Sequence, residues 1–208
     1  MDDRVVRSEH DLRRMYPAPS VRSVSKERPR IDDDSRAFIA HSPFLVMGTA
    51  AADGTCDVSP RGDAPGFVHV LDERRLLVPD RIGNNRLDGL SNVVSNPHVA
   101  LMFFIPGRED MLRVNGRATI LREPDVLGRF AVDGKTPRTA LLVDVEQCYL
   151  HCARAAKRAA LWDPSRWPAA QAVRSMQRII WDLLPVKPAG TTVDEYEREW
   201  NERTKMLY

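Results

Sequence analysis

The chain has 208 residues, 43% hydrophobic and 29% charged, an ordinary globular composition and enough length for one domain with helical additions. A formal net charge of +2 gives no field for capturing nucleic acid, and no run approaches the ~20 apolar residues that span a bilayer. Three cysteines, Cys56, Cys148 and Cys152, and a first segment lacking an apolar export signal point to a reducing cytoplasm.

Residues 1–30 are charged and interrupted by Pro17, Pro19 and Pro29, so they read as an arm lying over another surface, with one helical turn at Asp11–Met15. Asp32–Asp34 are placed to cap a helix running through Ser42, with Phe38 and Ile39 facing inward and acid at its positive end. Pro43 ends that helix. Phe44–Thr49 reads as a buried strand, Asp53-Gly54 as a hairpin turn, and Thr55–Pro60 as the partner strand. Phe67–Leu71 and Leu76–Pro79 are two further short strands. Asp80–Asn85 is a polar turn around Gly83.

Asn85 stands where a helix N-cap is expected, and Leu87, Leu90, Val93 and Val94 are spaced for one apolar face. Asn96-Pro97 stops this helix, because a residue before proline is pushed out of the α region. Val99–Ile105 and Met111–Ile120 are β-prone runs joined by a Pro-Gly-Arg-Glu-Asp turn. A small helix near Pro124–Ala131 precedes a long strand, Thr139–Cys152. Helices are expected at Ala153–Leu161, Ala169–Leu184 and Thr192–Leu207, with Trp181, Leu183, Leu184, Tyr196 and Trp200 as packing points. Short strands at this spacing predict an antiparallel barrel or sandwich. The expected organisation is an arm at 1–30, a barrel domain at 31–152 and a helical extension at 153–208.

The start of a helix offers unpaired N–H groups and the positive end of its dipole, a ready seat for an anion. Arg81 and Arg86 flank such a start here, with Asn84 and Asn85 as further donors, and arginine's planar fork suits phosphate. The plain alternative, Asn85 as an ordinary N-cap between solvated arginines, stays open. Cys148 and Cys152 on one strand would lie about 13 Å apart. Two thiolates on one zinc need a separation within about 4 Å, so buried cysteines are expected in place of a metal site. Neither a Gly-x-Ser-x-Gly elbow nor a His-Glu-x-x-His motif occurs. His69 reads as a packed or surface histidine, His98 as solvent-facing, and His151 as lying on the face opposite the cysteines.

The order of Cys-Asp-Val-Ser-Pro-Arg-Gly-Asp-Ala-Pro-Gly-Phe, then Gly-Asn-Asn-Arg, Asn-Pro-His-Val-Ala-Leu-Met-Phe-Phe and Leu-Arg-Val-Asn-Gly resembles the FMN-binding split β-barrel family of pyridoxamine phosphate oxidases. The likeness runs from about Ser42 to His151 and points to the branch of FMN-dependent enzymes related to that oxidase. It implies a mainly β (α+β) fold, an antiparallel split barrel of six or more strands with peripheral helices. It also implies an FMN-dependent oxidoreductase acting on a small molecule, as a homodimer with the flavin between subunits. Arg61, Arg81, Asn84, Asn85 and Arg86 fall where the family contacts the flavin phosphate. Val78, Pro79 and Asp80 would run along the ring and ribityl chain, and Arg113 would lie near the ring. For Arg61 the alternative is a surface arginine paired with Asp63.

Three departures from the family pattern stand out. Gly83-Asn84-Asn85-Arg86 replaces a Gly-Ser-Arg-Lys segment, one positive charge fewer, for which Arg81 would compensate. Asp110 and Met111 stand where an Arg-Gln pair is common. The arginine-ending signature that serves the oxidase's own substrate is missing from Glu195–Tyr208, so pyridoxamine phosphate is not the expected substrate. Lys157, Arg158 and Trp162 are candidates to reach a partner's site, against a plain helix surface with Trp162 in a core. The rivals are a non-catalytic flavin-binding or flavin-sensing module, and the same fold holding a deazaflavin or haem. Haem would need His69, His98 or His151 as axial ligand.

Overall fold

The computed structural model describes residues 4–208. Two short helices, α1 (Glu9–Met15) and α2 (Val21–Ser25), open the chain, each capped by a serine hydroxyl and neither burying a residue. The arm was expected to hold a single turn; Ser8 and Ser20 supply the caps that make two. Beyond α2, Arg28 and Cys148 exchange both backbone hydrogen bonds, at 3.1 and 2.7 Å. In α3 (Asp33–His41) the Asp32 carboxylate accepts from the Ser35 N–H at 2.8 Å, and Phe38 and Ile39 are buried as predicted.

Apolar alternation builds the sheet. β1 (Phe44–Ala50) buries Leu45 and Met47 while Val46 and Gly48 turn outward. β2 (Cys56–Gly62) follows, then β3 (His69–Val70), β4 (Arg75–Pro79), β5 (His98–Phe104), β6 (Met111–Leu121) and β7 (Ala140–His151). All pairings are antiparallel, in the order β2-β1-β5-β6-β7-β4-β3. This is a mainly β, α+β architecture whose sheet curls without closing, a split barrel. Leu45, Met47, Leu76, Leu101, Phe103, Leu112, Val114 and Val143 fill its interior. β3 is shorter than the expected Phe67–Leu71, yet Phe67 and Val68 remain buried.

Between Asn115 and Gly116 the β6–β7 register slips by a bulge. A Cβ on Gly116 would stand 2.1 Å from the Asp144 carbonyl oxygen, so only glycine fits there. The glycine of Leu-Arg-Val-Asn-Gly thus serves close strand packing.

α4 (Asp88–Ser95) begins two residues later than the sequence suggests. Asn85 and Leu87 both take left-handed φ angles, 59° and 63°, so Asn85 is not the N-cap and Leu87 occupies that place with no side-chain capping bond. The inward face is Gly89, Asn92 and Val93, and Val94 is 79% exposed. Asn96 is extended before Pro97 and ends the helix as expected.

α5 (Pro124–Gly128) and Phe130 pack with Leu77 and Ala140 as a small second core. α6 (Arg154–Ala159) leads to two 3₁₀ turns and a helical hairpin, α7 (Met176–Leu183) and α8 (Val193–Arg203). α7 is shorter than predicted because Val173 and Ser175 are extended and the Ser175 hydroxyl caps Arg178 N. Arg178 of α7 pairs with Asp194 and Glu197 of α8, and the rings of Trp181, Tyr196 and Trp200 pack at tilted angles within the hairpin. Among the described residues no helix is long and apolar enough to cross a membrane.

Candidate functional site

Four strands separate β2 from β4 in the sheet, yet curling brings them face to face. The gap between them is an open groove of about 960 Å³. One wall is Asp57–Gly62 of β2. The other is Pro79, the turn 80–87 and the start of α4, and residues 136–139 complete the rim. Strand alternation points Asp57, Ser59 and Arg61 the same way, each partly buried.

Charges in the groove are mostly paired. Arg61 binds the Asp80 carboxylate across the split, both side chains largely buried. Arg81 donates from Nε to Asp63 at 2.5 Å and to the Phe130 carbonyl at 2.6 Å. The alternative Arg61–Asp63 pair is therefore replaced by an exchange of partners. Arg86 pairs with Asp88 at 2.7 Å, which raises the arginine's pKa, on an exposed surface where such pairs add little stability. Arg138, also on the rim, makes no ion pair among the described residues.

Unpaired polar atoms concentrate here as well. Ser59 Oγ, Arg61 Nε and Thr139 Oγ1 are buried without a hydrogen-bond partner, and all three residues line the groove. Buried polar groups are normally satisfied, so a cluster of three that are not marks a surface built for a bound partner. Because Asp80 engages the Arg61 terminal nitrogen, its Nε remains to donate elsewhere.

Residues 31–152, more than half the chain, match the profile describing pyridoxamine 5'-phosphate oxidase. The chain belongs to the pyridoxamine 5'-phosphate oxidase family. No curated protein matches it. Similar solved structures include an FMN-binding protein from Syntrophomonas wolfei, 11% identical with a TM-score of 0.43, covering 56% of this chain and 88% of that one. An F420 reductase is 17% identical with a TM-score of 0.39, covering 56% and 94%. HutZ, a heme storage protein from Vibrio cholerae, is 16% identical with a TM-score of 0.41, covering 59% and 94%.

Within that family frame, Arg61, Pro79, Asp80, Arg81, Asn84, Asn85 and Arg86 all line the groove. Val78 does not; its side chain is core, leaving only its backbone beside the site. Arg113 lies apart on β6, donating to Asn115 at 3.3 Å and stacked over Tyr149. Trp162 donates to the Arg108 carbonyl at 2.7 Å and Lys157 pairs with Glu109 at 3.2 Å, so both are held on the β5–β6 turn of their own chain, while Arg158 is exposed. Ser59, Arg138 and Thr139 were not singled out from sequence. Ser59 was findable, two residues from Arg61 on one strand face; the other two come from a distant loop with no local signature.

No histidine lines the groove. His69 stacks on Phe130 with centroids 4.3 Å apart, and burial, then the charges of Arg129 and Arg81, lower its pKa. His98 is solvent-facing as predicted, between Asn96 and Arg117. His151 Nδ1 is buried and unpartnered, but outside the groove. Cys148 is buried and Cys152 exposed, and among the described residues no cluster could hold a metal ion.

Proposed function

We propose that this groove binds FMN and that the protein is an FMN-dependent oxidoreductase acting on a small molecule. The observation that carries the reading is the convergence of Ser59 Oγ, Arg61 Nε and Thr139 Oγ1, three unpartnered polar atoms, on a groove in a chain of this family. They match a ligand rich in oxygen and nitrogen acceptors. Arg61 and Arg138 would hold the phosphate, with the amides of Asn84 and Asn85 and the uncapped start of α4 adding N–H donors. Pro79 and Asp80 would border the ring, and Asp80 fixes the direction of Arg61 through their ion pair. Bound FMN would supply the electron transfer, which is why no side-chain triad is required. The lack of a groove histidine supports a flavin over haem.

A homodimer fits the sheet's outer face. Val46, Gly48, Val58, Pro60, Ala100 and Met102 point away from the core, none is charged, and Val58 is 68% exposed. An antiparallel sheet with a wet face ordinarily carries polar residues there. An apolar patch of this kind suits an isologous contact with a second copy, and Val58 and Pro60 extend it to the groove. A second copy seated there would cover the groove and exclude water from it.

The test is the visible absorption spectrum of freshly purified protein, with mass analysis of what denaturation releases. Released FMN, with affinity falling at least tenfold in Arg61→Ala from the loss of a charge-assisted contact, is the expected result. A colourless protein that fails to bind added FMN would sink the reading. Turnover with a nicotinamide donor separates an enzyme from a binding module, and a haem or deazaflavin spectrum would keep the fold while replacing the cofactor.

A further inference from the structure

Arg81 contributes to the groove's wall, but its guanidinium turns out of it, into a junction of four chain segments. Asp63 of the β2–β3 loop accepts from Arg81 Nε, and the Phe130 carbonyl after α5 accepts from a terminal nitrogen. The Tyr208 ring lies against the same guanidinium, with 5.4 Å between its centroid and Cζ. Its hydroxyl donates to Asp63 Oδ1, the oxygen that Arg81 leaves, at 2.5 Å, and the Tyr208 carbonyl accepts from Lys135 Nζ at 2.8 Å. Asp63 is almost fully buried and also accepts from Ala64 N at 2.7 Å.

We propose that Tyr208 is a positioning residue for the groove: by clamping Asp63 and Arg81 it fixes the turn 80–86 in its binding shape. Arg81 adjoins Asp80, whose backbone N–H is bonded to the Thr139 carbonyl at 3.0 Å and whose carboxylate holds Arg61. Movement of Arg81 therefore reaches Arg61 Nε and Thr139 through Asp80, two of the three residues that present unpartnered atoms. The electrostatics fit a lasting clamp. Burial pushes the Asp63 carboxyl up, but the Tyr208 hydroxyl, the Ala64 N–H and Arg81 together hold it below the usual carboxylate value. The bond to Asp63 in turn raises the Tyr208 hydroxyl, keeping its proton in place. The consequence for cofactor affinity rests on the FMN reading; the consequence for the turn does not.

Amide hydrogen exchange over residues 80–86 in the ligand-free protein tests the clamp, and an FMN fluorescence titration tests its consequence. Tyr208→Phe keeps the ring over Arg81 and removes the hydroxyl. Exchange at the Asp80 amide should rise, and FMN affinity should fall about tenfold, the scale of a lost hydrogen bond to a charged group. In an Asp63→Asn background the same change should add little, as a shared network requires. Unchanged exchange in Tyr208→Phe, or a rise spread evenly over the sheet, would overturn the clamp. Faster exchange at 80–86 in a protein that binds no FMN would uphold the clamp and sink the cofactor reading.

Discussion

Along the β5–β6–β7 seam, Leu101, Val114 and Val143 are at most 1% exposed and meet other apolar groups. At the split between β2 and the exit of β4, the facing groups are Asp57, Ser59, Arg61 and Asp80. Both regions belong to one sheet, but the seam is held by burial while the split is held by an ion pair and leaves polar atoms unsatisfied. Apolar burial stabilises by about 25 cal/mol per Å², whereas each unsatisfied buried polar atom costs about 1–3 kcal/mol. Stability is thus generated away from the groove and partly spent in it, the pattern expected where a ligand completes the structure.

The largest effect separating the two regions should come from the seam. Leu101→Ala is expected to lower unfolding free energy by about 2–5 kcal/mol through lost burial and a residual cavity. Urea unfolding checks this, and FMN affinity of the folded protein should be nearly unchanged. A large loss of affinity with intact folding would mean that the seam and the split are not separate.

Ser59→Ala should do the reverse. In the ligand-free protein it removes a buried hydroxyl that has no partner, so stability should hold or rise. FMN affinity should fall about three- to tenfold, the worth of one neutral hydrogen bond. A fluorescence titration beside a urea curve gives both numbers. Lower stability with unaltered affinity would make Ser59 part of the scaffold.

The same division explains what could be read in the sequence. The seam obeys local rules: alternation placed β1, β5, β6 and β7, Asp32 signalled the cap of α3, and Pro97 the end of α4. The groove was legible only where one strand or turn carries it, as in Arg61 and the turn 80–86. The start of α4 was misread because Leu87 adopts a left-handed conformation that nothing in leucine's side chain favours. The partner exchange among Arg61, Asp80, Arg81 and Asp63, and the arrival of Arg138, Thr139 and Tyr208, depend on how the sheet curls. Contacts between residues 18, 19 and 145 apart have no period to detect.

The smallest effect concerns pH at the back of the split. His69 is half-buried against Phe130, and burial with the charges of Arg129 and Arg81 holds its pKa below the ordinary value of 6.5. The unfolded chain therefore takes up the proton first. Stability from neutral His69 is complete above about pH 6.5 and is lost as pH falls through the lower folded-state pKa. Asp63, also lowered, acts in the same direction, its loss falling in the acid range below its ordinary 3.8. Between about pH 7.5 and pH 5.5 the wild type should lose under about 1 kcal/mol, partial exposure screening the charges. His69→Gln should flatten that interval while leaving the acid loss from Asp63 in place. Urea midpoints at the two pH values decide it: an equal drop in both proteins would remove His69 from the account and move the titration to another group.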